Sequence, residues 1–143
     1  MIIEVTNAGL LNNGFILMFD GFKDFSYPIK FLELVNTETI EEVPYISNYY
    51  FLGTDQEIII FWFNIIKKQY PKRVLIPFAK DENTDDVFCF DGTDTSGNPK
   101  VYQVHTYASE GWEDRGYWDN FDDWYDDIKR ISDEYKKEMQ EDE

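Results

Sequence analysis

Cysteine and histidine are almost missing from this chain: Cys89 and His105 are the only ones in 143 residues. A single thiol excludes any disulfide within the chain, so the core must hold the fold, and the composition fits a reducing compartment. One Cys and one His also fall short of a zinc ligand set. Nucleophilic catalysis needs a base beside the nucleophile. Cys89 and His105 on adjacent predicted strands could meet, but a lone histidine at a strand end is more often solvated or satisfied. No catalytic residue is assigned, and the chain reads as a non-enzyme.

Bases are scarce as well. There are 13 Lys and Arg against 29 Asp and Glu, a net charge of −16. Residues 1–80 hold 9 acids and 7 bases, whereas residues 81–143 hold 20 acids and 6 bases, so nearly all the acidity lies in the second half. Nucleic-acid binding is disfavoured, because neutralising phosphates takes clustered Lys and Arg. A basic protein partner would be attracted instead, through a field screened over about 8 Å at physiological salt. The same charge also confers solubility.

Long apolar runs are absent. The longest is Ile58–Phe63, with Ile65 and Ile66 just beyond, against the roughly 20 residues a bilayer span takes. The opening MIIEVTNAGLLNNGF has no basic region and carries Glu4, so no signal peptide, no membrane partner and a cytoplasmic location are expected. There is no linker or repeat, and residues 1–143 are expected to form one domain, burying about 68–70% of the unfolded surface.

What is present is organised around Val74–Ile128. Val74-Leu75-Ile76 runs to Pro77 and on through Phe78-Ala79 to Lys80, a strand placed near a sheet edge or a strand end by its proline. A polar turn, Asp81–Asp86, leads to Val87-Phe88-Cys89-Phe90. A second turn-forming cluster, Asp91–Pro99, leads to the alternating Val101–Tyr107. The result is a three-stranded antiparallel meander. After a loop rich in Gly and Trp, Asn120 opens an amphipathic helix with Phe121, Trp124, Tyr125, Ile128, Ile131 and Tyr135 at helical spacing. Residues 136–143 are expected to fray. A meander followed by a helix makes the fold class α+β.

Ile76-Pro77-Phe78-Ala79, the acidic turn, Asp86-Val87-Phe88-Cys89-Phe90-Asp91, the Gly-containing hairpin, Val101-Tyr102 and Asn120-Phe121-Asp122-Asp123-Trp124 resemble, in that order, the conserved half of the SUKH superfamily. The resemblance implies a bacterial immunity protein that binds a cognate toxin and occludes its catalytic domain, which could be a nuclease. The alternative is an intracellular scaffold or regulatory module, as in the superfamily's eukaryotic branch. The family's usual long first helix and Asn-Gly-Gly are missing here, since Asn36 is followed by Thr37-Glu38-Thr39.

The first half reads less clearly. Ile2–Val5 and Phe15–Phe19 flank the turn Asn12-Asn13-Gly14 as a hairpin. Ser26 ahead of Pro28 reads as the cap of a short helix. Val43–Ile46 and Asn48–Leu52 read as short strands. Over Ile58–Ile66 the β-branched and aromatic residues favour a strand. The capping box Thr54-Asp55-Gln56-Glu57, the length and the stop at Tyr70-Pro71 favour a helix, which is the assignment adopted. Its apolar residues on nearly all sides imply deep burial or a contact surface.

No metal or cofactor is assigned. Asp81, Asn83 and Asp85 have the opening spacing of a calcium loop, but Asp86 stands where Gly is required and Gly92 where the bidentate Glu should be. The Asp91–Gly97 segment lacks a P-loop lysine. The loop Glu110–Asp119 sets aromatics between carboxylates, the composition of a protein interface. For Trp112 and Trp118 the slightly favoured expectation is that each folds back to close the core between meander and helix, while Glu110, Glu113 and Asp114 are expected to be exposed. Candidate partner-binding residues are Asp85, Asp86, Glu110, Trp112, Glu113, Asp114, Tyr117, Asp122, Asp123 and Asp126. The helix dipole gives Asp122 and Asp123 a structural reason to be acidic as well.

Overall fold

The computed structural model describes residues 22–36, 49–52 and 56–141. The expected hairpin of Ile2–Val5 and Phe15–Phe19, the strand Val43–Ile46 and Thr54-Asp55 of the capping box lie outside them.

Strands β1 (Tyr49–Phe51), β2 (Leu75–Asp81), β3 (Asp86–Asp91), β4 (Val101–His105) and β5 (Asp114–Trp118) form one antiparallel sheet in that order. Helices α1 (Ile29–Asn36), α2 (Gln56–Gln69) and α3 (Phe121–Glu141) pack against it. The α+β meander is therefore present, with a fourth meander strand, β5, where a loop was expected.

Side chains alternate between the two faces of a strand, and this divides the core in two. Phe78, Phe88, Phe90 and Val101 face α1 and α3, together with Phe31, Phe121, Trp124 and Ile128. Leu75, Val87, Cys89 and Val104 face the other way, under Ile66 and Tyr70 at the C-terminal end of α2. The first face is a set of interlocked rings: Phe78 stacks on Phe90 at 4.2 Å, and Trp124 meets Phe78 edge-on at 4.9 Å.

Pro77 does not mark an edge. β2 lies between β1 and β3 and is buried along its whole length. The register with β3 shifts between Pro77 and Ala79, so the missing N–H falls where the ladder is already interrupted. The β2–β3 turn is closed by Lys80, whose Nζ donates to the carbonyls of Asp81 (3.0 Å) and Thr84 (2.7 Å) and lies over the Trp62 ring. Thus the segment with partial calcium-loop spacing is folded around the protein's own ammonium group.

The helix signals held, with shifts at their ends. α1 begins where the Pro28 carbonyl accepts from Leu32 N–H at 3.1 Å, two residues after the expected cap at Ser26. α2 is a helix and stops at Tyr70-Pro71. Its Ile59, Ile60, Phe63 and Ile66 are buried while Phe61 is exposed. α3 is capped by Asn120, whose Oδ1 accepts from Asp123 N–H at 2.8 Å. Its inward stripe runs Phe121, Trp124, Ile128, Ser132, leaving Ile131 exposed, and the helix continues to Glu141.

One glycine is fixed by space. Gly92 N–H donates to the Val74 carbonyl at 2.8 Å. A Cβ there would lie 2.6 Å from Val74 Cγ1 and 3.0 Å from the Val74 oxygen. Gly92→Ala is expected to destabilise the protein by about 1–3 kcal/mol, read from the urea midpoint. An unchanged midpoint would show that Val74 can move aside.

Candidate partner-binding surface

The surface is built on the loop joining β4 to β5, residues 106–113, whose shape is set by groups distant in sequence. Tyr70 Oη donates to the carbonyls of Ala108 (2.8 Å) and His105 (3.2 Å). Gln69 Oε1 accepts from Tyr107 N–H at 2.6 Å. Thr106 donates through both N–H (3.1 Å) and Oγ1 (2.7 Å) to the Asp85 carbonyl, tying the loop to the β2–β3 turn. Within the loop Trp112 N–H reaches Ser109 O at 2.9 Å, and Gly111 N–H reaches Glu113 Oε1 at 2.7 Å.

Arg73 completes the frame. Its guanidinium donates to Glu113 Oε2 (2.8 Å) and Asp114 Oδ1 (2.7 Å) and lies over the Tyr102 ring. Burial acts to raise the Glu113 carboxyl pKa, but the hydrogen bonds it accepts, including those from Arg73 and Gly111, outweigh burial and hold it below its ordinary value. Burial likewise opposes the charge on Arg73, and the two carboxylates more than offset it. Tyr70 is pushed up by burial first and the Glu113 charge second.

A depressed carboxyl stabilises the fold above its unfolded value, and that stability is lost as pH falls through the native value. Stability from Glu113 is thus complete above about pH 4.5 and drains away below it. Urea midpoints taken from pH 6 down to pH 3 are expected to fall more steeply in the wild type than in Glu113→Gln. Parallel curves would mean that the ion pair contributes nothing.

A frame this tightly bonded leaves two large aromatics outside. Trp112 is 78% exposed and Tyr107 64% exposed, the latter with a left-handed φ of 69°. Tyr117 on β5, 66% exposed, adds a third. Large aromatics left outside the core on a backbone fixed by hydrogen bonds, with carboxylates nearby, have the composition of a binding hot spot.

The ten residues singled out from sequence do not form one patch. Asp85, Asp86, Glu110, Trp112, Glu113 and Asp114 gather at the sheet end that carries the β4–β5 loop. Asp122, Asp123 and Asp126 sit at the start of α3, at the end of the sheet that carries the β3–β4 hairpin. Two of the acids are internal: Glu113 is buried rather than exposed, and Asp86 is buried against Gln103 Nε2 (2.7 Å) and His105 Nδ1 (2.6 Å). Asp85, Glu110, Trp112 and Tyr117 are exposed. Trp118 half-buries against the core and donates from Nε1 to Asp127 Oδ2 at 3.2 Å.

Cys89 and His105 do not meet. Cys89 pairs with Tyr102 on one face and His105 with Asp86 on the other, and burial pushes the Cys89 thiol far up, leaving it protonated. Among the described residues no group of His, Cys, Asp and Glu could hold a metal ion, and no helix is long and apolar enough to cross a membrane.

Residues 13–127 match the family model described as SMI1 / KNR4 family (SUKH-1). The chain belongs to this family. SUKH-1 domains are associated with toxin immunity, binding cognate toxins, and are typically non-catalytic. The matched span covers the whole sheet and the first third of α3, so the fold that carries the β4–β5 loop is the SUKH-1 fold. No curated protein and no solved structure matches the chain.

Tyr107, Gln69, Tyr70 and Arg73 were not singled out from sequence. Only Tyr70-Pro71 gave any signal, as a helix stop. Tyr107 read as the last residue of an alternating strand.

Proposed function

We propose that this SUKH-1 chain is a cytoplasmic immunity protein that neutralises a cognate bacterial toxin by binding rather than catalysis, covering the toxin's catalytic domain with the β4–β5 loop end of its sheet. The observation that carries the reading is the pairing of exposed Trp112 and Tyr107 with a loop bonded to α2 and to the β2–β3 turn. An interface residue already held in place loses little freedom on binding. The net charge of −16 favours a basic partner, such as a nuclease domain, whose approach it would steer. The α3 acids Asp122, Asp123 and Asp126 contribute to that field from the far end.

The test is to mix the chain with the catalytic domain of any toxin found encoded beside its gene. A stoichiometric complex that abolishes toxin activity, with an association rate that falls as salt rises, is expected. A toxin that stays active in saturating chain would overturn the immunity reading and favour a regulatory scaffold.

A further inference from the structure

Asp86 decides which atoms its neighbours present outwards. The carboxylate is buried at the start of β3, and both its oxygens are occupied: Oδ2 accepts from Gln103 Nε2 at 2.7 Å, and Oδ1 lies 2.6 Å from His105 Nδ1. An ionised carboxylate can only accept, so both neighbours must donate towards it. This fixes the Gln103 amide with Oε1 on its other arm. It also fixes the neutral His105 imidazole as the tautomer with its proton on Nδ1 and a lone pair on Nε2. One buried acceptor thus makes acceptors of two side chains that could otherwise have turned either way.

The protein itself uses neither outer atom: among the described residues, Gln103 Oε1 and His105 Nε2 have no hydrogen-bond partner. Gly116 keeps Oε1 open. It pairs with Gln103 across β4 and β5, and a Cβ on it would stand 3.6 Å from Oε1. Its φ is not positive, so the backbone does not require glycine there, and the missing side chain leaves room beside the acceptor. The His105 side chain is 31% exposed. As the last residue of β4, His105 donates its N–H to Glu113 O, and its carbonyl accepts from Tyr70 Oη. The acceptor pair therefore borders the loop that carries Trp112 and Tyr107.

Two acceptors held to one carboxylate, in a chain of net charge −16, suit a cation with several donors and no acceptor. Lysine offers a point charge, whereas arginine offers a planar fork of N–H groups that can bond two acceptors at once. We propose that Gln103 Oε1 and His105 Nε2 receive an arginine side chain of the toxin. Asp86 is the positioning residue: its hydrogen bonds set the polarity of both acceptors, and its charge attracts the guanidinium from beneath. The arginine's place on a toxin rests on the immunity reading; the acceptor pair does not.

NMR on the full chain tests the acceptor pair without a toxin. The ring nitrogens of His105 are expected to show Nδ1 protonated and Nε2 bare at neutral pH; an imidazolium, or a proton on Nε2, would overturn the proposal. N-acetyl-arginine amide is expected to shift the His105 and Gln103 side-chain signals further than N-acetyl-lysine amide at the same concentration, and equal shifts would overturn it too. The second test is the Kd for the catalytic domain of any toxin found encoded beside the gene. Gly116→Val covers Oε1 without touching the Asp86 network. Asp86→Asn puts a donor at the centre and forces one neighbour to turn its acceptor inwards. Each is expected to weaken the complex by about tenfold or more. Should the buried Asn unfold the chain, Gly116→Val decides alone, since its Cβ meets only ordinary contacts. A folded Gly116→Val chain with wild-type Kd would overturn the proposal. A preference for the arginine amide beside an uninhibited toxin would uphold the acceptor pair and discard the immunity reading.

Discussion

Phe78→Ala is expected to remove about 3–5 kcal/mol of stability, seen as a large drop in the urea midpoint with an unchanged slope. Phe78 is 1% exposed on a strand paired on both sides, and its ring touches those of Phe31, Phe51, Phe90, Phe121 and Trp124. These neighbours come from α1, β1, β3 and α3, so no single element can move inward to fill the space. Collapse is what makes a large-to-small substitution tolerable, and here every wall is anchored elsewhere. Domains of this size are stable by about 5–15 kcal/mol, so the variant would stand near the edge of folding. Phe61→Ala is the control. Phe61 lies on the outer side of α2 at 56% exposure, and the change is expected to stay within about 0.5 kcal/mol. Equal losses at the two positions would refute the two-layer aromatic core.

The core was legible because its signals are local. Val87-Phe88-Cys89-Phe90 between two turn clusters, and Phe121, Trp124 and Ile128 behind a capping Asn120, need only the chain's own periodicity. β5 had no such signal. Asp-Arg-Gly-Tyr-Trp has neither alternation nor β-branched residues, and it is extended because β4 offers it a ladder. Pro77 was misplaced for the related reason that a bulge, which only the partner strand reveals, removes its penalty. The same division runs through the site. Acidity pointed to Asp86 and Glu113, but their burial is decided by His105, 19 residues away, and Arg73, 40 residues away. A carboxylate's type says that it wants a partner and not which one. Tyr107 escaped notice because its left-handed backbone is imposed by loop closure onto Gln69 and Tyr70, which no period records.

Trp112→Ala should separate binding from folding more sharply than any other change. The indole is 78% exposed and the loop is held through backbone and buried groups, including Trp112's own N–H to Ser109. The free protein is therefore expected to keep its stability within about 0.5 kcal/mol. In the complex, loss of a central tryptophan costs about 2–4 kcal/mol, a weakening of roughly 30- to 1,000-fold in Kd. The loss should appear as faster dissociation, because steering depends on the charge field, which this substitution leaves intact. Tyr107→Gly tests the second anchor in the same assay: glycine accepts the φ of 69° without strain, so the loop survives while the ring is lost. Arg73→Met approaches the surface from beneath, leaving both aromatics in place but freeing Glu113 and Asp114. If pre-organisation matters, it weakens the complex although Arg73 is mostly covered. Should Trp112→Ala leave Kd within twofold of wild type, the aromatic loop is not the anchor. Contact centred instead on the acidic start of α3 would show in the association rate, rather than the dissociation rate, on substitution there.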